Sequence, residues 1–254
     1  MAKIFVDIEQ VLDKTIIIND KGDLHHLQKV LRLKKGDELD VSDGVSFEYH
    51  GRLISIDGDE AEVEILDKQA FAREPEIEVT LFQGIPKSDK MEDIIQKCVE
   101  LGVHRIVPVF MERTIVTDKG NFDKKLQRWQ KISDEAVKQC KRGKIPKISH
   151  AQKFGEALTE LRDFQLIIFP YENEGNYTIK DCLRKYTTNN NPMKADNRPK
   201  EIAIIIGPEG GFSDKEADAL KGIGAECVTL GKTILRTQTA AQTALAMTMY
   251  ELEL

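Results

Sequence analysis

Residues Glu201–Leu235 read EIAIIIGPEGGFSDKEADALKGIGAECVTLGKTIL. The unbroken apolar run from Ile202 to Ile206 predicts a buried strand, because β-branched side chains favour the pleated backbone. The run stops abruptly at Gly207-Pro208. This stretch therefore predicts a strand that enters a turn directly.

The turn is rich in glycine, and a helix follows it. Gly207, Gly210 and Gly211 lack a Cβ, so the backbone there can adopt positive φ angles or approach a ligand closely. Ser213 and Glu216 form an S-x-x-E capping box, which predicts the helix start. Strand, glycine turn and capped helix make a binding loop in α/β proteins. Many such turns need glycine for geometry alone, but a second glycine turn at Leu230–Lys232 favours a ligand site.

Length and composition fit a globular protein. The 254 residues suffice for two domains or one large one, and 41% apolar with 31% charged residues is ordinary. The start shows no targeting segment and no apolar stretch of membrane-spanning length, so we expect a cytoplasmic protein without membrane contact. The cysteines are widely spaced, which predicts reduced thiols and no metal site.

The net charge of −6 is unevenly distributed. Residues 1–74 contain 10 Lys and Arg against 17 Asp and Glu, whereas residues 119–153 contain 11 basic and 3 acidic residues. A basic stripe on an acidic chain indicates a nucleic-acid partner, although a solvated helix face is the favoured interpretation of a stripe that stands alone.

The first 70 residues predict a small β-rich module. The segments KIFV, TIII, DELDVS, VSFEYHGRLISI and AEVEIL are strand candidates separated by turn dipeptides. One helix interrupts them, with Leu24, Leu27, Val30 and Leu31 at helical spacing. A polar stretch, Asp67–Pro75, predicts a linker and a domain boundary.

Beyond the boundary, strand and helix patterns alternate, which predicts a mainly parallel sheet covered by helices. Within residues 122–142 the apolar positions share one side, so most basic side chains should face solvent. Residues 187–200 predict a mobile surface loop. The closing segment TQTAAQTALAMTMYELEL predicts an apolar helix that packs on the core or against a second subunit.

Four motifs, in order, resemble the RsmE family. They are HHLQKVLRLKKGDEL near the start, QGIPKSDKMEDIIQKCVELGVHRIVPVFMERTIV at Gln83–Val116, GPEGGFS at Gly207–Ser213 and LGKTILRTQTAAQTAL at Leu230–Leu245. That family comprises SPOUT-class methyltransferases that act on N3 of a uridine in 16S ribosomal RNA of the small subunit. The similarity spans essentially the whole chain.

The resemblance implies a PUA-like β-barrel over residues 1–72 that binds RNA, followed by a SPOUT α/β domain over residues 73–254. It also implies a C-terminal trefoil knot over about residues 165–254, a homodimer, and S-adenosylmethionine as the cofactor. The substrate would be small-subunit ribosomal RNA or the 30S particle. By similarity, the residues around the cofactor would be Pro170, Gly207, Pro208, Glu209, Gly210, Gly211, Leu230, Gly231, Ile234, Leu235 and Arg236.

The implied reaction is an in-line attack of uracil N3 on the sulfonium methyl carbon, without a metal. The protein must align the two and favour a deprotonated N3. Arg236 is the candidate for stabilising negative charge on the uracil, with an ion pair or a structural hydrogen bond as its alternative role. Glu209 is a candidate proton acceptor, with holding the loop as the favoured alternative.

One residue departs from the family pattern. The family commonly reads ILRTETA where this chain has ILRTQTA, so Gln238 puts a general base at that position in doubt. The candidates for RNA contact are Arg32, Lys34, Arg113, Lys141 and Arg142. Three other functions stay open: a non-catalytic RNA-binding protein of the ribosome, a SPOUT enzyme for another RNA nucleotide, and an α/β enzyme that uses another nucleotide.

Overall fold

The computed structural model describes residues 3–71, 74–117, 120, 122–187 and 198–253. The predicted loop at 187–200 therefore lies almost wholly outside the described residues. Contacts divide the chain into two units, the first made of residues up to 74 with 137–145, and the second of residues 75–136 with 146–254.

The first unit contains a five-stranded sheet in the order β1-β3-β4-β5-β2, in which β1 pairs parallel to β3 and the other pairs are antiparallel. Its strands are β1 (Lys3–Phe5), β2 (Thr15–Ile18), β3 (Glu38–Ser42), β4 (Phe47–Ile56) and β5 (Ala61–Ala70). Alternate residues point inward to a core that includes Ile4, Ile16, Val41, Leu53 and Val63. The predicted strands are confirmed. β5 runs on to Ala70, into the stretch predicted as linker, because its backbone pairs with β4 as far as Phe47.

The predicted helix of the first unit has an unexpected form. Helix α1 (Lys21–His25) continues as a π-helical turn, His26–Val30, in which the Leu31 N–H donates to the carbonyl of His26 at 2.9 Å. The wider turn shifts the following side chains around the axis. As a result Leu24 and Leu27 are buried as predicted, but Val30 is 63% exposed.

Residues 137–145 are fixed in the first unit by a buried ion pair. Arg142 donates from Nη2 to Glu74 Oε2 at 2.8 Å, and the two side chains are only 7% and 10% exposed. Oε1 of Glu74 accepts the N–H groups of Gly143, at 2.7 Å, and Lys144, at 3.0 Å. Ser42 Oγ also donates to the Gly143 carbonyl at 2.7 Å. A charged pair at such low exposure needs this full set of partners.

A histidine on the outer face of the first sheet should titrate above its ordinary range. The hydrogen bond to Asp40, at 3.1 Å, raises the pKa of His50 despite the opposing effect of burial, and Glu38 at 3.2 Å raises it further. Because the folded pKa is the higher one, this contribution to stability is complete below about pH 6.5, the ordinary histidine pKa. It is then lost as pH rises through the folded pKa. An NMR titration of the His50 ring should show a lower midpoint in Asp40→Asn; an unchanged midpoint would contradict the assignment.

The second unit contains a parallel sheet in the order β12-β10-β11-β6-β7-β8, with β9 also paired to β7. Its strands are β6 (Glu78–Gly84), β7 (Arg105–Phe110), β8 (Lys147–Ile148), β9 (Gln152–Lys153), β10 (Leu166–Pro170), β11 (Glu201–Ile206) and β12 (Glu226–Val228). The predicted parallel sheet is confirmed. β8, β9 and β12 were not predicted, because strands of two or three residues carry no readable period.

Helices connect these strands. They are α2 (Lys90–Glu100), α3 (Phe122–Cys140), α4 (Phe154–Leu161), α5 (Ile179–Thr187), α6 (Asp214–Gly222) and α7 (Thr237–Leu252). α3 buries Phe122, Leu126 and Trp129 and exposes most of its basic residues, as predicted. α7 packs against α2, α5, β6 and β11, so the closing helix lies on the core of its own chain.

The four cysteines are free thiols, two of them buried. Burial raises the pKa of Cys98 and raises that of Cys182 to about 11. Within the described ranges, no helix combines the length and the apolar character that crossing a membrane would require.

Candidate active site at the carboxyl ends of the parallel strands

The strand order creates a crevice beside β11. β11 and β6 are neighbours, yet the chain leaves β6 toward β7 on one side and leaves β11 toward β12 on the other. Ligands in open α/β sheets bind where successive connections diverge in this way, at the carboxyl ends of the strands. The glycine turn predicted from the sequence follows β11 at this point.

Three glycines let the backbones meet closely here. A Cβ on Gly84, at the end of β6, would lie 2.6 Å from the backbone nitrogen of Pro208, and one on Gly207 would lie 3.0 Å from the carbonyl carbon of Gly211. Gly211 has φ +67° and its N–H donates to the Pro208 carbonyl at 2.9 Å. The glycines therefore make a tight turn, which is buried at Gly207 and reaches the surface at Gly210.

Adding one methyl group at Gly84 should disturb this turn. We expect Gly84→Ala to lower the free energy of unfolding by about 1–3 kcal/mol, because the end of β6 and the turn at Gly207-Pro208 must move apart. Gly155→Ala on α4 is the matched control, since a Cβ there meets nothing within 4 Å. Urea unfolding measures both variants. Equal stability of Gly84→Ala and the wild type would contradict the prediction, because it would mean that the turn accommodates a Cβ at this position.

The capping box after the turn is present as predicted. Ser213 Oγ accepts the Glu216 N–H at 3.3 Å, and Glu216 Oε2 accepts the Ser213 N–H at 2.9 Å. Glu216 is buried, and its second oxygen accepts the N–H of Glu112 at 2.8 Å. The start of α6 thus also fixes the loop that follows β7.

Glu209 fastens the glycine turn to the loop after β6. Its Oε1 accepts from Lys90 Nζ at 2.7 Å and from the Lys87 N–H at 3.1 Å. Burial alone would raise the pKa of Glu209, but the hydrogen bonds from Lys90 and Lys87 outweigh burial and lower it. A carboxylate with a lowered pKa and several donors is a weak base. The geometry favours loop fixation over proton transfer for this residue.

Two further side chains contact the turn. Arg113 donates from Nη1 to the Gly210 carbonyl at 2.9 Å, so this predicted RNA contact lies on the glycine turn. Glu172, just beyond Pro170 at the end of β10, lies so close that a Cβ on Gly211 would be 2.6 Å from its Oε1. The structure thus brings the loops after β7, β10 and β11 together.

The segment after β12 leads to the start of α7. Thr229 Oγ1 donates to the Gly231 carbonyl at 2.9 Å, and Gly231 has φ +152°. Leu235 is half-buried, whereas Ile234 is 84% exposed. Arg236 occupies the N-cap of α7 with an exposed side chain. Neither an ion pair nor a hydrogen bond joins its guanidinium to any residue in the described ranges. The alternative role of Arg236, an ion pair or a structural hydrogen bond, therefore has no partner among these residues.

Two buried polar residues of this region were not predicted from the sequence. Gln83 is fully buried near the end of β6, and its Nε2 donates to Thr237 Oγ1 at 2.9 Å. Thr237 Oγ1 in turn donates to the Gly207 carbonyl at 2.6 Å. The one sequence feature that could have indicated a role for Gln83 is its position directly after the apolar run IEVTLF.

The remaining predicted RNA contacts lie in the first unit, and one of them is inaccessible. Arg32, Lys34 and Lys141 are exposed, with left-handed φ angles of 55° at Arg32 and 61° at Lys141. Arg142 is 5% exposed and bound to Glu74. The sequence pattern placed Arg142 on a basic surface, whereas burial of its guanidinium gives it a structural role.

Two family models match the chain. Residues 73–249 match the family model of the RNA methyltransferase domain, and residues 18–66 match that of the RNA methyltransferase PUA domain. Within the described part of the chain, no three His, Cys, Asp or Glu side chains are grouped to hold a metal ion.

Three relatives that align with nearly the whole chain carry the name ribosomal RNA small subunit methyltransferase E. The Bacillus subtilis protein is 29% identical, with 100% of this chain and 98% of the relative covered. The Synechocystis protein is 33% identical, with 96% and 76% covered. The Neisseria gonorrhoeae protein, whose crystal structure contains S-adenosylmethionine, superposes with a TM-score of 0.82 at 29% identity, covering 98% of this chain and 97% of that one. The chain belongs to the ribosomal RNA small subunit methyltransferase E family, the RsmE family.

Proposed function

We propose that this chain transfers a methyl group from S-adenosylmethionine to N3 of a uridine in 16S ribosomal RNA of the small ribosomal subunit. One observation carries the proposal: a glycine turn, exposed at Glu209 and Gly210, lies at the switch point of a parallel sheet and is hydrogen-bonded to Thr237, next to an exposed arginine whose guanidinium pairs with no described residue. Family membership supports the reaction class.

The residues at this crevice fit S-adenosylmethionine. Gly207, Gly210 and Gly211 allow a tight turn whose backbone groups would contact an adenine or ribose edge, and Leu230 and Leu235 would supply apolar contact. Pro170, Pro208, Glu209, Gly231, Ile234 and Arg236 complete the set. Gln238 Oε1, in the first turn of α7, is buried without a hydrogen-bond partner among the described residues, which suits a site that receives a donor group.

When bound, the cofactor supplies an activated methyl group on a sulfonium. The chain's own task is then to hold uracil N3 in line and to favour its deprotonated form, because neutral uracil is a poor nucleophile at N3. We assign that stabilisation to the Arg236 guanidinium, which is permanently charged and free to face an incoming base. N3 lies on the Watson–Crick edge, so the target base must be unpaired or turned out of its stack.

Calorimetric titration with S-adenosylmethionine tests the first half of this proposal. The purified protein should bind it, and neither NAD nor ATP should compete. Absence of binding would favour a non-catalytic RNA-binding protein, whereas competition by NAD or ATP would favour an enzyme for another nucleotide.

RNA contact is proposed for the exposed side of α3. The rings of Phe110 and Phe122 lie 5.1 Å apart, which places the start of α3 beside the carboxyl end of β7. Lys124, Lys125 and Lys131 are exposed there, and no ion pair to a described residue neutralises them. An exposed basic helix on the edge that holds the crevice suits a phosphate backbone.

Neutralising these three lysines should weaken RNA binding without weakening cofactor binding. We expect a triple Lys124→Gln, Lys125→Gln, Lys131→Gln variant to lose about 0.7 to 0.9 in the slope of log K against log salt for each phosphate contact removed. Fluorescence anisotropy with a small-subunit RNA fragment at several salt concentrations measures the slope. The control replaces Lys180 and Arg162, exposed cations on α5 and at the end of α4. An equal slope in the triple variant and the wild type would exclude this surface.

We also propose that residues 73–254 form a SPOUT domain with a trefoil knot over about residues 165–254, preceded by a PUA-like barrel over residues 1–72. The chain leaves β12 at the sheet edge, and Thr237 then binds the carbonyl of Gly207 near the middle of the sheet. That course suits a threaded segment. Stretching the unfolded chain between its ends in an optical trap should give a contour shorter than an unknotted chain of this length; the full contour would exclude a knot.

A homodimer in the cytoplasm completes the proposal. Tyr250 on α7 is 71% exposed, Met247 is 37% exposed and Ile234, before the helix, is 84% exposed, so apolar surface is available on α7 and on the segment that precedes it. Light scattering from the purified protein should give twice the chain mass, and a monomer mass would contradict the dimer.

A further inference from the structure

Gln83 is an unusual residue for its position. It is 0% exposed near the end of β6, where its register partners on the adjacent strands are Ile206 and Pro108. A buried carboxamide is disfavoured unless its polar atoms are bonded, and an apolar side chain of similar size would fill the same space. Its retention there needs a reason other than packing.

The hydrogen bonds of Gln83 have a fixed direction. Nε2 donates to Thr237 Oγ1 at 2.9 Å and to the Gly84 carbonyl at 2.9 Å. The single hydroxyl proton of Thr237 is donated to the Gly207 carbonyl at 2.6 Å, so the hydroxyl oxygen must accept from Gln83. Carboxamide, hydroxyl and carbonyl thus form one relay, here called the Gln83 relay.

The Gln83 relay joins the segments that form the proposed site. Gly207 begins the glycine turn after β11, and Thr237 directly follows Arg236 at the start of α7. Gln83 belongs to β6, on the other side of the crevice. Two hydrogen bonds therefore set the position of Arg236 relative to the glycine turn, although neither Gln83 nor Thr237 needs to touch the reacting atoms.

Fold stability alone does not account for the Gln83 relay. Oε1 of Gln83 is buried and has no hydrogen-bond partner among the described residues. An unpaired buried acceptor opposes folding. Selection for stability alone would favour an apolar side chain, which has no such unpaired acceptor. The hydrogen bonds that Nε2 donates are therefore the feature of Gln83 that needs an explanation.

We infer that Gln83 and Thr237 are positioning residues of the methyl-transfer site, which fix the glycine turn and Arg236 in their working geometry. The inference rests on the proposed function. It assigns to two buried side chains a role in cofactor binding and turnover that their location in the core does not suggest.

Four variants test this inference, with calorimetric affinity for S-adenosylmethionine and turnover on small-subunit RNA as readouts. Gln83→Met and Thr237→Val remove the relay and keep the volume, and we expect each to lower the affinity about 10-fold and to slow turnover. Thr237→Ser keeps the hydroxyl and should restore both. Thr248→Val is the control, because buried Thr248 Oγ1 donates only within α7, to the Ala244 carbonyl at 2.8 Å.

Stability separates positioning from a structural role. Gln83→Met removes the unpaired Oε1, so its melting temperature should equal or exceed that of the wild type while its affinity falls. The double variant Gln83→Met, Thr237→Val should be no worse than the worse single variant, because both break one relay. Wild-type affinity and turnover in both single variants, or a Thr237→Ser variant as poor as Thr237→Val, would overturn the inference. A wild-type protein that binds no cofactor would refute the proposed function itself, and the inference with it.

Discussion

Arg142→Met is expected to lower the free energy of unfolding of the first unit by about 3–5 kcal/mol. The substitution leaves the Glu74 carboxylate buried, at 10% side-chain exposure, without its cationic partner. The loss of stability should be greatest near residues 137–145, because Glu74 also accepts hydrogen bonds from the N–H groups of Gly143 and Lys144. Hydrogen exchange of residues 137–145 and of β3, combined with urea unfolding, measures both effects.

Lys141→Met is the control for this variant. Lys141 is the adjacent residue, it is exposed, and its backbone has the same left-handed φ of 61° whichever side chain is present. We expect a change within about 0.5 kcal/mol. Adding Glu74→Leu to Arg142→Met should restore part of the stability, since an apolar pair can replace a buried ion pair. Equal stability of Arg142→Met and Lys141→Met would mean that the ion pair contributes nothing.

Arg236→Ala is expected to lower kcat by about 10²–10³-fold while affinity for S-adenosylmethionine stays close to the wild-type value. The reduction corresponds to the loss of one preorganised group that faces developing negative charge. Cofactor affinity should persist because Arg236 belongs to the proposed cofactor set through its backbone, which alanine keeps. Its side chain is exposed and, among the described residues, bonds to none of the loops that form the crevice. Single-turnover methylation of small-subunit RNA, with calorimetry for the cofactor, measures the two quantities separately.

The pH dependence distinguishes charge stabilisation from a positional effect. Without the guanidinium, uracil N3 loses a nearby positive charge, so the pKa of N3 should rise and the pH–rate profile should move to higher pH. Arg236→Lys should recover part of the rate. The control is Arg162→Ala, which removes an exposed arginine at the C-cap of α4. An unshifted profile, or full activity in Arg236→Ala, would remove Arg236 from the mechanism.

The strands and helices that could be predicted are those with enough residues to show a regular spacing of apolar side chains. β11, its glycine turn and the capped start of α6 follow from IIIGPEGGFS, because each uses a local rule about side-chain branching, a missing Cβ or a side-chain cap. The strands of the first unit were readable for the same reason. Val30 was misplaced because a π-helical turn arises from tertiary packing and has no local signature.

The roles of Arg142, Gln83 and Thr237 could not be predicted. Arg142 and Lys141 are adjacent and alike in the sequence, but only Arg142 meets a buried carboxylate, which lies 68 residues earlier in the chain. The Gln83 relay likewise spans 154 residues between Gln83 and Thr237. Charge density in a sequence reports composition, whereas burial of one particular guanidinium depends on contacts between distant segments.

Analysis of the RNA product tests the central claim most directly. The purified protein would be incubated with small-subunit RNA or 30S particles lacking the modification and with S-adenosylmethionine that carries a deuterated methyl group. The RNA would then be digested to nucleosides for mass spectrometry. We expect deuterated 3-methyluridine, at one position, in the wild-type reaction and far less of it with Arg236→Ala. A label on another nucleoside, or an unlabelled RNA despite bound cofactor, would contradict methyl transfer to uridine N3.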